Sequence, residues 1–316
     1  MVLAGILLGL GAAFAQSLSY VFSRLYVLRR EQALLRLMVL GHILMGVLSG
    51  AILLLGSYFR WLPLGQLPSW RQFSWPLAGA CLFYLLGQLG MFQALRRTEA
   101  SRASPLLGLK ILILATIYTL VPGDLIRFVV GVEPHAPGLV QWLAVGLSIA
   151  AAFLLRDSGP RMSRGAMGWI LFACVAYSMS DMHIKGLVTS LSSMGKVPAN
   201  VTGVCLSYVL CGAIGLAVLP WSPKGHRGDW HYAVPWALSW LAAMFMLFAC
   251  FDFIDVVGGN IVQSSRGILS ILMGSIIAHW GHEHLERKVP RKVFLRRLVA
   301  GIVMFLAIAA FSLGSR

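Results

Sequence analysis

Residues 36–58, RLMVLGHILMGVLSGAILLLGSY, decide the fold class of this chain. No Asp, Glu, Lys or Arg lies between Arg36 and Arg60. A helix of about 20 such residues crosses a hydrocarbon core of about 30 Å. Backbone groups in lipid must be hydrogen-bonded within the protein, and a continuous apolar stretch of this length achieves that as an α-helix rather than as a barrel strand. The segment therefore predicts a transmembrane helix.

The same apolar character extends over most of the 316 residues. Hydrophobic residues make up 58% of the chain and charged residues 12%, which is about half the charged share of a typical soluble domain. The mean hydropathy is +0.79. This composition excludes a soluble enzyme, a disordered protein and a secreted disulfide scaffold.

Ten stretches meet the length criterion for a transmembrane helix. They are residues 2–22, 36–58, 75–95, 103–121, 138–155, 166–186, 199–219, 232–251, 259–280 and 295–313. The connections between them are short and leave no room for a soluble domain. We therefore expect an all-α polytopic membrane protein with ten transmembrane helices, in which Asp252 and Asp255 line the loop after the eighth span.

The net charge of +15 is informative about topology. With ten spans, 18 of the 26 Lys and Arg residues fall on one side of the membrane and 6 on the other. Positive residues concentrate on the cytoplasmic side, so both termini are predicted to lie outside the cytoplasm. The remaining two, Lys110 and Arg266, lie inside predicted spans.

Motifs for enzymes, metals and nucleic acids are missing from the sequence. The five cysteines all fall within predicted spans and lack metal-ligand spacing, so we interpret them as packing residues. The cluster His279, His282, Glu283 and His284 matches no zinc-protease motif and is interpreted as a polar cap at a helix end. We expect no enzyme activity, no cofactor, no metal and no nucleic-acid partner; the basic loops suit anionic lipid.

The two halves of the chain look like copies of each other, as in many transporters. Shifting one half by 156 residues aligns Phe92 with Phe248, Ala94 with Cys250, Ala103 with Gly259, and Lys110 with Arg266. Near its end, each half has a loop that contains Gly and Glu, in residues 131–134 and 281–283. We expect two repeats of five helices each, in residues 1–156 and 165–316.

With ten spans, a five-plus-five repeat and the Gly-Glu loops, the chain resembles the ten-helix EamA-type members of the drug/metabolite transporter superfamily. The resemblance covers nearly the whole chain. It implies two inverted five-helix repeats around a central cavity that works by alternating access, in a bacterial inner membrane. Members of this superfamily move amino acids, sugars, nucleotide sugars, sugar phosphates, drugs or lipid-linked sugars, so the resemblance implies transport without naming a substrate. One departure is the lack of an acidic residue in the first span, which argues against a cationic-drug exporter of the four-helix type.

Lys110 and Arg266 are the main candidates for a binding site. An ionisable side chain near the bilayer centre costs about 2.5–3.5 kcal/mol, so it is a functional candidate by default. Two cations on repeat-related helices suit a carboxylate or a phosphate. Similar placement in the sugar-phosphate and nucleotide-sugar branches implies phosphate binding. The alternative is that each cation is structural, paired with Asp181 or extended towards the interface.

Asp181 and His183, in the sixth span, are candidates for coupling or gating. Asp181 is also four residues from Lys185, a spacing that allows a local ion pair. We favour that structural interpretation of Asp181, because the segment approaches the end of its helix. His183 belongs to the residue type that titrates near neutral pH.

Polar side chains on otherwise apolar spans should face the interior of the bundle, where they line a cavity or bind a neighbouring helix. The candidates with a hydrogen-bonding role in the cavity are Gln16, Tyr20, Tyr84, Gln88, Tyr118 and Gln263. His42 is interpreted as an interhelical histidine. The pairs Gly5/Gly9 and Gly46/Gly50 are interpreted as close helix contacts.

We therefore expect an exporter or exchanger of a small anionic or zwitterionic metabolite such as a carboxylate, an amino acid or a phosphorylated compound. Its partners are that substrate and membrane lipids, with a homodimer left open. One alternative is a flippase for a lipid-linked phosphate, of the polyprenyl-phosphate or phospholipid type, in which the same cations hold the headgroup. Another is a membrane assembly subunit that transports nothing.

Overall fold

The computed structural model describes residues 1–29, 34–98, 103–104, 106–131, 138–156, 162–279 and 290–314, and these residues contain helices and no strand. The helices, in chain order, are α1 (Val2–Arg29), α2 (Leu34–Tyr58), α3 (Trp70–Leu95), α4 (Leu109–Leu120), α5 (Gly123–Val130), α6 (Leu139–Arg156), α7 (Arg164–Ser190), α8 (Lys196–Val218), α9 (Trp230–Gln263), α10 (Arg266–His279) and α11 (Arg291–Gly314). The all-α prediction is confirmed for this part of the chain.

Five segments of the described chain are long and apolar enough to cross a membrane: Val2–Val27, Leu34–Tyr58, Trp70–Leu95, Lys196–Trp221 and Trp230–Gly274. A sixth arises if α4 and α5, which meet at an angle of 119°, count as one span. This is consistent with an integral membrane protein, as the composition predicts. Ten transmembrane helices and an inverted repeat stay predictions.

The helix α7 lies outside that set although its 27 residues are enough to cross a bilayer. It carries Asp181, His183 and Lys185, which reduce its hydropathy. The apolar segments Leu139–Ala151 and Val299–Ala310 are shorter than a full span.

Two of the predicted spans are interrupted by turns. The predicted span 103–121 has a turn at Leu107 and Gly108, after which α4 begins. The predicted span 259–280 starts within α9, and α10 begins only after a turn at Ser264 and Ser265. The turns have equivalent tight hydrogen bonds: the Ile111 amide donates to the Gly108 carbonyl at 3.0 Å, and the Gly267 amide to the Ser264 carbonyl at 3.1 Å.

The loop expected at Asp252 and Asp255 is not there. The helix α9 continues from Trp230 to Gln263, and the backbone departs from helical angles only at Asp255, with φ 66° and ψ 170°. This combination of a positive φ with an extended ψ is strained for any residue other than glycine. The predicted break is therefore present at Asp255, but as a kink and not as a loop, because two carboxylates mark a polar position without specifying whether the helix ends or only bends.

The helices pack in a pattern that repeats between the two halves of the chain. α1 packs against α9 and α3 packs against α7, while α2 packs against α8 and α6 against α11. Smaller contacts join α1 to α10 and α4 to α7. Each helix of the first half therefore lies mainly against a helix of the second half, and one core of apolar side chains extends through both.

α2 and α8 cross most closely at Gly46 and Gly212. A Cβ atom added to Gly46 would lie 2.9 Å from the Gly212 Cα, and one added to Gly212 would lie 2.8 Å from the Gly46 Cα. Because both obstacles are backbone atoms, neither helix could accept a side chain here without moving. Of the pair expected from the sequence, Gly46 makes the contact, whereas a Cβ on Gly50 would meet only Val209 Cγ2, at 3.9 Å.

We expect Gly46→Ala and Gly212→Ala to destabilise the fold by about 1–3 kcal/mol each, the usual cost of overpacking a close contact. Gly50→Ala, one turn along the same helix, is the matched control and should not lower stability. The measurement is the midpoint of thermal unfolding of detergent-purified protein. If Gly46→Ala and Gly50→Ala changed the midpoint of thermal unfolding equally, the close crossing of α2 and α8 at Gly46 would be contradicted.

Candidate functional site

A buried ion pair joins α4 to α7. The Lys110 Nζ lies 3.0 Å from the Asp181 Oδ2, and both residues are only 4% exposed. The same Nζ donates to the Gln263 Oε1 at 2.9 Å, and the Asn260 Nδ2 donates to the Asp181 Oδ2 at 2.9 Å. Lys110 therefore has a full counter-ion within the protein.

The second buried cation, Arg266, has a different environment. It is 3% exposed, and its Nη1 donates to the Gln16 Oε1 at 2.6 Å. That oxygen also accepts a hydrogen bond from the Gln263 Nε2 at 3.1 Å. Within the described residues, no carboxylate lies within 4.0 Å of the guanidinium, and its Nε has no partner. Arg266 is thus held by a neutral amide and not by a counter-ion.

The hydrogen bonds form one continuous chain between the two cations. It runs from Lys110 through Gln263 and Gln16 to Arg266. This chain of hydrogen bonds orients the side-chain amides of both glutamines. The two cations are therefore connected through two amide side chains.

A tyrosine ring lies against each cation. The Arg266 Cζ is 5.9 Å from the centre of the Tyr20 ring, and the Lys110 Nζ is 5.9 Å from that of the Tyr177 ring. The face of an aromatic ring attracts a cation at this distance. The hydroxyls of Tyr20 and Tyr177 lie beside each other. Neither makes a hydrogen bond of acceptable geometry with a described group. They are unpartnered polar groups in the centre of the bundle.

The first helix of each half supplies one tyrosine and one hydrogen-bonding residue to a cation. α1 supplies Gln16 and Tyr20 to Arg266, and α7 supplies Tyr177 and Asp181 to Lys110. Each pair is four residues apart, so its members share one helix face.

Two serine hydroxyls fix the cation-bearing helices in a matching way. The Ser17 hydroxyl lies 3.1 Å from the Arg266 carbonyl oxygen, and the Ser178 hydroxyl lies 3.2 Å from the Lys110 carbonyl oxygen. Each hydroxyl also donates to the carbonyl four residues earlier on its own helix. α10 is thereby attached to α1, and α4 to α7.

A small cavity lies next to this cluster. Its lining combines the charged groups with aromatic and apolar side chains: Gln16, Tyr20, Tyr84, Lys110, Tyr177, Ser180, Asp181, Ile184, Trp240, Met244, Leu247 and Arg266. A second small cavity adjoins it. Tyr84, Ser180, Ile184 and Met244 line both.

The hydroxyl of Tyr84 is held from two sides. It lies 3.0 Å from the His42 Nε2 and accepts a hydrogen bond from the Gln88 Nε2 at 3.1 Å. The His42 Nδ1 is 2.6 Å from the Met38 carbonyl, which assigns the proton to Nδ1 and makes Nε2 the acceptor for Tyr84. His42 is therefore the satisfied interhelical histidine expected from the sequence.

The structure brings together most of the residues selected from the sequence. Six of them meet at the first cavity and its hydrogen-bond chain: Gln16, Tyr20, Tyr84, Lys110, Gln263 and Arg266. Gln88 reaches it only through Tyr84. Tyr118 is buried two turns beyond Lys110, outside the cavity lining.

Of the coupling candidates, Asp181 lies in the cluster and His183 does not. Asp181 pairs with Lys110 and not with Lys185, whose Nζ donates to the Phe251 carbonyl at 3.0 Å. The predicted ion pair between Asp181 and Lys185 is therefore wrong. The helix end expected near Asp181 is also wrong, because α7 continues for nine residues beyond it. His183 packs against α3 beside Phe83.

Some expected sites lie partly or wholly outside the described residues. These are the Gly-Glu loops after residues 131 and 280, and His282, Glu283 and His284. Among the residues that are described, no group of three or more His, Cys, Asp or Glu could hold a metal ion. All five cysteines are buried and free.

Sequence reasoning missed Asn260 and the apolar lining. Asn260 is 1% exposed and binds Asp181; a lone amide in an apolar span is the same signal that selected Gln263. Trp240 and Met244 gave no such signal, because aromatic and apolar residues are abundant throughout a membrane protein.

Comparisons with known proteins extend to the fold only. No protein-family model matches the sequence, and no curated protein matches it. A protein of known crystal structure is similar to this chain with a TM-score of 0.62 and 17% sequence identity, over 98% of this chain and 96% of the other. At this identity, the similarity shows that the two chains share a fold over nearly their whole length.

Proposed function

We propose that this protein is a membrane transporter for a small anionic metabolite, and that Arg266 binds the anion. The observation that carries the proposal is that Arg266 is 3% exposed and has no carboxylate partner in the described part of the chain. A buried charge is normally paired, because its desolvation is costly. A bound anion would supply the missing partner.

The charges around the cavity sum to +1. Lys110 and Arg266 each carry one positive charge, and Asp181 carries the one negative charge beside them. Guanidinium groups bind carboxylate and phosphate through two parallel hydrogen bonds. The unpartnered Nε of Arg266 is available for such a contact.

We also propose that the chain is a ten-helix EamA-type transporter with two inverted repeats that works by alternating access. The repeated packing pattern supports this, since α1 against α9 corresponds to α3 against α7. The matching contacts of Ser17 with Arg266 and of Ser178 with Lys110 also support it. In such a transporter, the cavity at the junction opens to one side of the membrane when the two halves rock against each other. The chain would lie in a bacterial inner membrane.

The transport proposal predicts that Arg266→Met abolishes protein-dependent movement of anions. Proteoliposomes with purified protein are loaded with a small-molecule metabolite extract, and the compounds released are identified by mass spectrometry. Wild-type protein should release a defined anionic compound faster than empty liposomes do, and Arg266→Met should not.

Arg71→Met is the matched control, because Arg71 is an exposed residue at the start of α3. It removes the same charge and should keep the release. If wild-type and Arg266→Met liposomes release the same compounds at the same rate, Arg266 is not the anion ligand. If wild-type liposomes release nothing, the protein is not a transporter for this class.

The different partners of the two cations predict opposite effects on stability. Lys110→Met leaves the Asp181 carboxylate buried without its cation and should cost about 3–5 kcal/mol, whereas the double variant Lys110→Met/Asp181→Asn should recover part of this loss. Arg266→Met removes a charge that has no counter-ion, so it should leave stability unchanged or raised. The thermal midpoints of five ligand-free proteins are measured in detergent: wild type, Lys110→Met, Asp181→Asn, the double variant and Arg266→Met. Additive losses at positions 110 and 181, or a loss at 266 as large as at 110, would contradict this charge arrangement.

A further inference from the structure

We infer that the ligand of this site is a monoanion with a single carboxylate and a flat apolar body. The inference rests on the transporter proposed above and specifies its substrate class. It excludes polyhydroxylated phosphates, dicarboxylates and zwitterionic amino acids as preferred ligands. Three features of the cavities support it: their charge, their lining and the state of their polar groups.

The net charge of the groups around the cavity suits a ligand with one negative charge. Asp181 already neutralises Lys110 at 3.0 Å, with a further hydrogen bond from Asn260. Of the two cations that line the cavity, Arg266 is then the one that lacks a counter-ion among the described residues. A monoanion would make the site neutral, while a dianion would leave one buried negative charge and a zwitterion would leave the positive charge in place.

The lining beyond Arg266 is aromatic and apolar. Besides the charged groups, the first cavity is lined by Tyr84, Trp240, Met244 and Leu247. Tyr84 and Met244 also line the second cavity, together with Phe248. A ligand with its carboxylate at Arg266 would therefore extend its body between apolar side chains, where flat rings pack best against other aromatic rings.

The hydroxyls of Tyr20 and Tyr177, beside the cations, are unpartnered, but the polar groups further along this path are committed within the protein. The Ser180 hydroxyl donates to the Ala80 carbonyl at 2.9 Å, and the Trp240 Nε1 donates to the Tyr208 hydroxyl at 2.7 Å. The Tyr84 hydroxyl is held by His42 and Gln88.

The hydroxyls of a sugar would find few free partners along such a path and would lose their hydrogen bonds to water without replacement. An apolar body has no such requirement. The same lining that rejects a hydroxylated ligand therefore accepts an aromatic one.

The test is a binding series at pH 7 in which each probe differs from 3-phenylpropionate by one feature. Propionate lacks the ring, phenylsuccinate adds a second carboxylate, and phenylalanine adds an ammonium group. Each probe is titrated into the full-length protein in detergent, and the rise in the thermal midpoint gives the half-saturating concentration. We expect 3-phenylpropionate to bind at a concentration lower by about tenfold or more than each of the other three, since ring burial alone contributes about this factor.

The Arg266→Met variant is the control for non-specific partition of the probe, and it should lose the response to 3-phenylpropionate. If Arg266→Met keeps the response, or if no anion binds the wild-type protein, the proposed anion site fails together with the inference. If phenylsuccinate, phenylalanine or propionate binds as well as 3-phenylpropionate through Arg266, the anion site stands and the inference on substrate class is overturned.

A second variant tests the charge argument separately. Asp181→Asn releases Lys110 from its counter-ion and raises the charge of the site to +2. The preference should then shift towards the dianion, with phenylsuccinate gaining about tenfold or more relative to 3-phenylpropionate. An unchanged order of affinities in a folded Asp181→Asn protein would overturn the charge argument. The wild-type series decides the inference if this variant does not fold.

Discussion

The buried guanidinium of Arg266 is the constraint on which the site depends. Removing a charge from water without a counter-ion is costly, yet Arg266 is 3% exposed and is held by the neutral oxygen of Gln16. Its neighbour Lys110 is in the opposite situation, because Asp181 pairs with it directly. Natural proteins retain such unfavourable arrangements at functional sites, where a ligand supplies what the fold lacks. The asymmetry between the two cations, and not their number, gives the cavity its chemical character.

Neither half of the chain contains this site alone. Arg266 belongs to the second half and takes its partners from α1, whereas Lys110 belongs to the first half and takes its partner from α7. The turns that precede α4 and α10 place both cations at the beginning of a helix, within reach of the other half. The close crossing of α2 and α8 at Gly46 and Gly212 brings the halves together. Relative movement of the halves would therefore change the cation environments directly, which is what alternating access requires.

The sequence predicts the helical class and the central cations because both follow from the bilayer as a solvent. Lipid makes every buried charge expensive, so Lys110 and Arg266 are visible without a structure. Pairing is a different matter, because it depends on which helices meet. The sequence left Asp181 with two possible partners, Lys185 on the same helix or one of the central cations, and the packing of α4 on α7 selects Lys110. The apolar lining also escapes prediction, since Trp240 and Met244 resemble many residues that face lipid. Asp255 shows a third limit, because its carboxylate marks the break between two predicted spans but does not reveal that the break is a kink within α9 and not a loop.

The most direct measurement is a crystal structure of the protein with 3-(4-bromophenyl)propionate, with the bromine located by anomalous scattering. We expect the carboxylate at a hydrogen-bond distance of about 3 Å from the Arg266 guanidinium. The bromine should lie between the apolar side chains near Met244, with the Lys110–Asp181 pair intact. A structure in which Arg266 is paired with a carboxylate of its own chain, and in which the cavity holds no ligand, would contradict the central claim that a bound anion completes this site.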